Sequence, residues 1–190
     1  MNATMKFLLG VFVGVLILPA ALYLYVATGH APVATADPSM PMEAFFAKMG
    51  RKSRIRAEQP KRELSTFTAS DLEAGAETYQ KNCAFCHGLP NQPKPNAAKG
   101  MFPPAPQLLE KDDMVTDDPI GESFWKVKNG IRLSGMPGFK DSLSETEIWQ
   151  VSALLVKAEQ LPPEVSAKLR PRDATDQPLT KLKAQVPNSQ

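Results

Sequence analysis

Apolar residues in the middle of the chain recur at every third or fourth position in three segments, and this period is typical of α-helices. In the first segment the apolar face consists of Leu72, Ala76 and Tyr79. Ser70 and Glu73 have the spacing of an N-terminal capping box, so the helix is predicted to begin at Ser70. Gly75 lies within this segment, where the lack of a side chain would let another helix approach closely.

The second segment is bounded by residues that favour the start and the end of a helix. Asp118 is predicted to be the N-cap and Pro119 the first helical residue, and Gly130 follows the last turn. The apolar face of this segment is formed by Ile120, Phe124 and Val127. These signals predict a short helix.

The third segment begins with a second capping box, formed by Ser144 and Glu147, and Pro162 ends it. Its apolar face is formed by Ile148, Val151, Ser152 and Leu155, with Trp149 beside it. No strand pattern of any length and no internal repeat occurs between the three segments. The sequence therefore predicts a small, mostly α fold.

The N-terminal segment is apolar over a length that matches a bilayer. No charged residue occurs in the 21 positions from Phe7 to Ala27, which as a helix would reach about 31 Å. Lys6 precedes this run and biases the amino terminus toward the cytoplasm, so residues 1–28 are predicted to be a transmembrane anchor. The alternative is a signal peptide, since Ala34-Thr35-Ala36 fits the rule for a cleavage site. In either case the remaining chain is exported.

Two proline-rich segments flank the helical middle. Residues 29–68 are predicted to be a basic tether, because prolines interrupt helices and the basic side chains cannot be buried unpaired. A short helix from Met42 to Met49 is possible within this tether. Residues 162–190 hold few apolar residues and are predicted to be a largely disordered tail. Residues 69–161 remain as the one folded domain.

The charges are distributed unevenly, although the net charge is only +2. Residues 48–62 hold seven basic side chains and one acidic one, whereas residues 63–161 hold nine basic and fourteen acidic ones. The basic neck, residues 48–62, is either solvated linker charge or attracted to anionic lipid headgroups. The chain lacks the excess of Lys and Arg that nucleic-acid binding needs, so no nucleic-acid partner is expected.

Both cysteines of the chain lie in Cys83-Ala84-Phe85-Cys86-His87, which has the C-x-x-C-H spacing of c-type haem attachment. Two thiols three positions apart can reach the two vinyl groups of one porphyrin as thioethers, and the adjoining imidazole can bind the iron. The motif therefore predicts one covalently bound haem c, with His87 as an axial ligand.

Three other uses of these residues fit the sequence less well. A disulfide between Cys83 and Cys86 would close only a short loop and leave His87 unexplained. A thioredoxin-like motif needs a strand before it and a helix after it, whereas Cys83 falls at the end of a predicted helix. A zinc site needs four ligands, and the other histidine, His30, lies beside the predicted anchor.

Two segments, Tyr79–Gly88 and Asn129–Phe139, resemble the two ends of a class I mono-haem cytochrome c. The similarity extends over Leu72–Leu161, particularly to the haem domains of the cytochrome oxidase subunit III type. It implies a cytochrome c fold of about three short helices around the haem, with the first helix packed across the last. The residues at that contact would be Gly75, Tyr79 and Trp149.

The sixth iron ligand is expected to be a methionine, and the resemblance assigns this role to Met136, which lies in the segment similar to the family's distal loop. Met101 and Met114 stay as alternatives, and Met101 is expected on a stretch that runs around the proximal side of the haem. The resemblance also assigns the carbonyl that accepts the His87 N–H to a loop containing Pro106. The expected walls of the haem pocket are Phe85, Phe102, Ile131, Leu133, Phe139 and Leu155.

A haem iron with His87 and Met136 on its two faces would leave no position for a substrate, so the expected function is single-electron transfer rather than catalysis. The expected partners are redox proteins or a membrane oxidoreductase complex, with membrane lipid around the N-terminal helix and no small-molecule substrate. The haem domain is expected on the periplasmic side of the cytoplasmic membrane. A permanent subunit of a redox complex is one alternative. A haem sensor or peroxidase-like protein is the other, if Met136 is not a ligand.

Overall fold

The computed structural model describes residues 2–171, and every regular element within that range is helical. The α-helices are α1 (Ala3–Ala27), α2 (Glu43–Glu58), α3 (Ala69–Asn82), α4 (Ala84–His87), α5 (Asn96–Lys99), α6 (Ile120–Asn129), α7 (Glu145–Val156) and α8 (Pro163–Lys168). Single turns of 3-10 helix cover Leu64–Thr66 and Ala158–Gln160. The predicted mostly α fold is confirmed. The chain divides after Gly50 into two compact units.

Helix α1 is the main element of the first unit. Its most apolar window of 18 residues has a mean hydropathy of 2.5, and none of its residues is buried. The helix is therefore long and apolar enough to cross a membrane, and a signal sequence would meet the same criteria. The Thr28 hydroxyl donates a hydrogen bond of 2.6 Å to the Leu24 carbonyl at the end of the helix.

Helix α2 lies in the segment expected to be a tether. The sequence allowed a short helix from Met42 to Met49, and the structure extends it to Glu58. No proline interrupts the chain between Pro41 and Pro60, and alanine, lysine, arginine and methionine, which fill most of this stretch, all favour helices. The expectation of an irregular tether is therefore wrong for residues 50–58, which lie beyond the short helix that the sequence allowed.

The core of the second unit forms where α3 crosses α7. Gly75 is buried in α3, and a Cβ atom added to it would collide with the backbone carbonyl of Gln150 in α7. This glycine lets the two helix backbones touch, as its position in the sequence predicted. Tyr79 and Trp149 are buried in the same core, and the Trp149 ring stacks on Phe124 of α6 with 4.0 Å between ring centroids.

Helix α3 has Thr68 as its N-cap, and the prediction of Ser70 is wrong. The Thr68 hydroxyl accepts a 3.3 Å hydrogen bond from the N–H of Asp71, and the Asp71 carboxylate accepts one of 2.9 Å from the N–H of Thr68. The capping box thus lies two residues earlier, because Asp71 can replace glutamate at its third position and Thr68 has the extended backbone of an N-cap.

The ends of α6 and α7 follow the sequence signals more closely. The predicted capping box of α7 is confirmed, since Ser144 Oγ accepts the N–H of Glu147 at 3.3 Å and the Glu147 carboxylate accepts the N–H of Ser144 at 2.8 Å. Gly130, with φ +70°, ends α6 as predicted. Asp118 does not cap α6, because Pro119, predicted as the first helical residue, is the N-cap instead, and the Asp118 carboxylate pairs with Lys126 at 3.2 Å.

Residues 51–67 belong to the second unit, although they were expected to be part of the tether. Ile55 is 2% exposed, and Glu58 accepts a 3.0 Å hydrogen bond from the indole N–H of Trp125. Phe67 is buried in the core, and the Arg62 guanidinium lies 4.6 Å from the centre of its ring. The folded domain therefore begins well before the predicted residue 69.

The folded domain also extends beyond the predicted boundary at residue 161. Val165 and Leu169 are buried in the core, because their spacing of four residues puts both on one side of α8 and the following turn. The side-chain amide of Gln80 in α3 donates to the carbonyls of Lys168 and Arg170. The prediction of a disordered tail from residue 162 is therefore wrong for residues 162–171. Residues 172–190 lie outside the described part of the chain.

Replacement of Leu169 by alanine is expected to lower the free energy of unfolding by about 2–5 kcal/mol, the usual cost of truncating a fully buried leucine. Chemical denaturation of the haem-loaded protein measures this loss. Ser166→Ala on the exposed side of α8 is the matched control and should change the free energy by less than about 0.5 kcal/mol. Equal stability of the two variants would mean that Leu169 does not contribute to the core.

Candidate haem site

The cysteine motif lies where α3 ends and α4 begins. Cys83 is the last capping residue of α3, and its carbonyl accepts hydrogen bonds from the N–H groups of Cys86 at 3.0 Å and His87 at 2.9 Å. This single turn holds the two thiols and the imidazole together. Both thiols are free and partly buried, and burial raises the pKa of Cys83 to about 12. The two sulfurs are therefore not used in a disulfide.

The imidazole of His87 is fixed by the backbone of a distant loop. Its Nδ1 atom lies 2.7 Å from the carbonyl oxygen of Pro106. A carbonyl can only accept a hydrogen bond, so Nδ1 carries the proton and Nε2 keeps its lone pair. Burial lowers the pKa of His87, while the hydrogen bond to Pro106 acts in the opposite direction. A neutral ring with a free Nε2 is the form that binds a metal.

The residue after the motif is held by a contact that the sequence analysis missed. Gly88 has φ +74° and turns the chain away from α4. Its carbonyl accepts a 2.9 Å hydrogen bond from the hydroxyl of Tyr79, and burial raises the pKa of Tyr79, which keeps this hydroxyl protonated. The helical pattern had identified Tyr79 only as a core residue. No signal in the sequence relates a hydroxyl to a particular backbone carbonyl nine residues away.

The loop from Asn129 to Phe139 is closed by its own hydrogen bonds. The N–H of Ile131 donates to the Met136 carbonyl at 3.1 Å, and the N–H of Met136 donates to the Ser134 hydroxyl at 3.2 Å. The N–H of Phe139 joins the loop to the Val127 carbonyl in α6 at 3.0 Å. Met136 is partly buried and packs against the core. The structure thus presents this methionine from a loop with a defined backbone.

The other two candidate methionines lie in different surroundings. Met101 was expected on the proximal side, but its side chain packs against Gly135, the residue before Met136. Met114 is partly buried in the loop between α5 and α6. Later in the same stretch, the Pro106 carbonyl contacts His87. Met101 therefore contacts the loop that carries Met136.

The expected pocket walls fall into two groups. Leu155 is buried in the core, and Ile131 and Phe139 are partly buried. In contrast, Leu133 is 91% exposed, Phe85 79% and Phe102 41%. Phe102 and Leu133 belong to the two segments that also contain Met101 and Met136, so they add apolar surface to this part of the molecule.

These residues fit a covalently bound porphyrin. The two thiols are free, Nε2 of His87 keeps its lone pair, and the largely exposed Phe85 within the motif provides surface that a flat apolar group could cover. Within residues 2–171, no three His, Cys, Asp or Glu side chains are grouped so that they could hold a metal ion between them. The arrangement of the motif therefore fits haem attachment better than a closed zinc site.

An all-helical domain with a C-x-x-C-H turn at the end of its first core helix is a c-type cytochrome domain. The comparison with protein families agrees with this class. Residues 70–155, a little under half of the chain, match the family described as Cytochrome C oxidase, cbb3-type, subunit III. No curated protein and no solved structure matches the chain. The matched segment includes the cysteine motif, Pro106 and Met136.

Proposed function

We propose that this chain is a membrane-anchored mono-haem c-type cytochrome that transfers single electrons between redox partners outside the cytoplasmic membrane. One haem c would be bound through thioethers of Cys83 and Cys86, with His87 and Met136 as the axial ligands of its iron. The observation that carries the proposal is the hydrogen bond between His87 and the Pro106 carbonyl. It fixes the orientation of an imidazole that shares one backbone turn with both free thiols, an arrangement that suits a c-type haem site.

Each residue of the site has a separate task. Bound haem supplies a one-electron couple between ferric and ferrous iron. Cys83 and Cys86 hold the porphyrin to the turn between α3 and α4, so that it cannot dissociate. Pro106 keeps the His87 ring in one orientation and increases the basicity of Nε2. Met136 would fill the sixth position with a thioether, which excludes exogenous ligands and favours the reduced state.

Helix α1 supports the proposed location. Its length and composition suit a membrane span, and Lys6 lies at the end that would stay in the cytoplasm. The haem domain would then lie on the periplasmic side, held near the membrane at a raised effective concentration for membrane-bound partners. A signal peptide would release the same domain into the same compartment.

A second candidate is a permanent haem subunit of a larger membrane redox complex. The description of the matched family, Cytochrome C oxidase, cbb3-type, subunit III, favours it. The haem chemistry of the two candidates is the same, and they differ in the lifetime of the partner contact. Purification from gently solubilised membranes separates them, because a permanent subunit should elute with stoichiometric partner chains and a free carrier should elute without them.

The proposed function and location can be tested together in intact spheroplasts that express the chain above the host's own haem proteins. Ferricyanide, which does not cross the membrane, is expected to oxidise the c-type haem at once, and lysis should add no further oxidation. The purified protein should titrate as a single one-electron couple and should bind carbon monoxide poorly. Oxidation only after lysis would refute the location. Ready carbon monoxide binding by the wild type would favour the sensor or peroxidase alternative.

A further inference from the structure

We infer that Met101 is a positioning residue that holds the distal loop, residues 129–139, in the conformation from which Met136 reaches the iron. The inference rests on the proposed function, since it assumes that Met136 is the sixth ligand. A Cβ atom added to Gly135 would lie 2.7 Å from Sδ of Met101, 3.0 Å from Cγ and 3.1 Å from Cε. These are its three nearest atoms, so the end of the Met101 side chain lies against Gly135 and would have to shift to admit a methyl group.

The backbone around Met101 is itself held in place. The N–H of Met101 donates to the Ala98 carbonyl at 3.4 Å, and Ala98, in α5, is completely buried. Further along the chain Ala105 is buried, and the Pro106 carbonyl accepts the hydrogen bond from His87. A segment of six residues therefore contacts the proposed proximal ligand at one end and the neighbour of the proposed distal ligand at the other. The distal loop packs against this fixed segment.

The hydrogen bonds of the distal loop do not restrain it at the point where Met101 contacts it. The bonds of Ile131 and Ser134 to Met136 define the shape of the loop, but each of them joins two residues of the loop itself. The bond from Phe139 to Val127 holds only its far end. Contact with Met101 restrains the loop beside Met136 itself. Without the Met101 side chain, the loop would move away from the iron more readily, and an added ligand would replace the Met136 sulfur at lower concentration.

Titration of the ferric haem protein with imidazole tests the inference, because imidazole competes with the methionine and abolishes its weak far-red absorption band. Met101→Ala is expected to keep the band in the absence of imidazole but to lose it at about five- to tenfold lower imidazole concentration than the wild type. Met101→Leu retains a side chain of similar volume and is expected to stay within about twofold of the wild type. Comparison of the alanine and leucine variants shows whether the volume of the Met101 side chain or its sulfur atom is needed.

Gly135→Ala provides a reciprocal test, since its methyl group would push against Met101. Alone, it is expected to increase the sensitivity to imidazole by less than Met101→Ala does, because the end of a flexible methionine side chain can shift to make room. Combined with Met101→Ala, it should cost little more than Met101→Ala alone, because the atoms it would contact are gone. Strictly additive effects of the two substitutions, or a Met101→Ala protein that titrates like the wild type, would overturn the inference. If Gly135→Ala does not fold, the two Met101 variants decide it.

Two outcomes distinguish this inference from the proposed function on which it rests. If Met136→Ala keeps the far-red band and Met101→Ala abolishes it, Met101 is itself the ligand and both statements are wrong. If Met136→Ala abolishes the band but all Met101 and Gly135 variants titrate like the wild type, only the positioning role is wrong. If a variant keeps the haem content and the denaturation midpoint of the wild type, a change in its imidazole titration does not come from partial unfolding.

Discussion

Simultaneous replacement of Cys83 and Cys86 by alanine is expected to yield a polypeptide without bound haem, because no covalent bond would then retain the porphyrin. Extraction with acid acetone should leave the haem on the wild-type protein, and the double variant should show no chromophore after purification. Absorption spectra of the pyridine derivative measure both results, since they report the number of thioether bonds as well as the amount of haem.

Phe85→Ala is the matched control for this prediction, because it changes the same turn without touching a thiol. The side chain of Phe85 is largely exposed, so its removal should leave haem attachment unchanged. Extractable haem in the wild type would refute covalent attachment. A double alanine variant that still carried a full complement of haem would show that the thiols are used for another purpose.

Met136→Ala is expected to leave the covalent haem in place and to change every property that depends on the sixth ligand. The far-red band of the ferric protein should disappear, and the reduced protein should gain the ability to bind carbon monoxide. The reduction potential should fall by about 0.1 V or more, which is a modest part of the roughly 0.8 V range that axial ligands set. Spectroscopy and a potentiometric titration provide the three measurements.

Met114→Ala is the control for that experiment, because Met114 is also a partly buried methionine of the haem domain but lies outside the distal loop. It should keep the band, the potential and the poor binding of carbon monoxide. If the Met136 and Met114 variants both behave like the wild type, the sixth ligand is not among these two residues. Met101 would then be the remaining candidate within the domain.

The features that could be predicted from the sequence are those determined by residues close together in the chain. The capping box of Ser144 and Glu147 is complete within four residues, and Gly130 ends α6 through its own backbone preference. The cysteine motif likewise contains two thiols and an imidazole within one turn. The family match over residues 70–155 agrees with this interpretation, whereas the iron ligands themselves stay predictions.

The features that could not be predicted depend on partners distant in sequence. The charge of the basic neck suggested a solvated tether, but burial of Ile55 and the hydrogen bond from Trp125 to Glu58 bring its second half into the domain. The two apolar residues Val165 and Leu169 are too few to indicate a core element until the rest of the core is known. The N-cap at Thr68 was also missed, because Ser70 and Glu73 have the spacing of a capping box two residues later.

The ion pair between Lys168 and Glu77 has a consequence for the order in which the protein is assembled. The two residues are 91 positions apart, and Lys168 lies close to the end of the described chain. During synthesis α3 therefore leaves the ribosome long before α7 and α8, the helices that bury its apolar side, are available to it. Throughout that interval α3 lacks its packing partners, so the core can close only after Val165 and Leu169 have been synthesised.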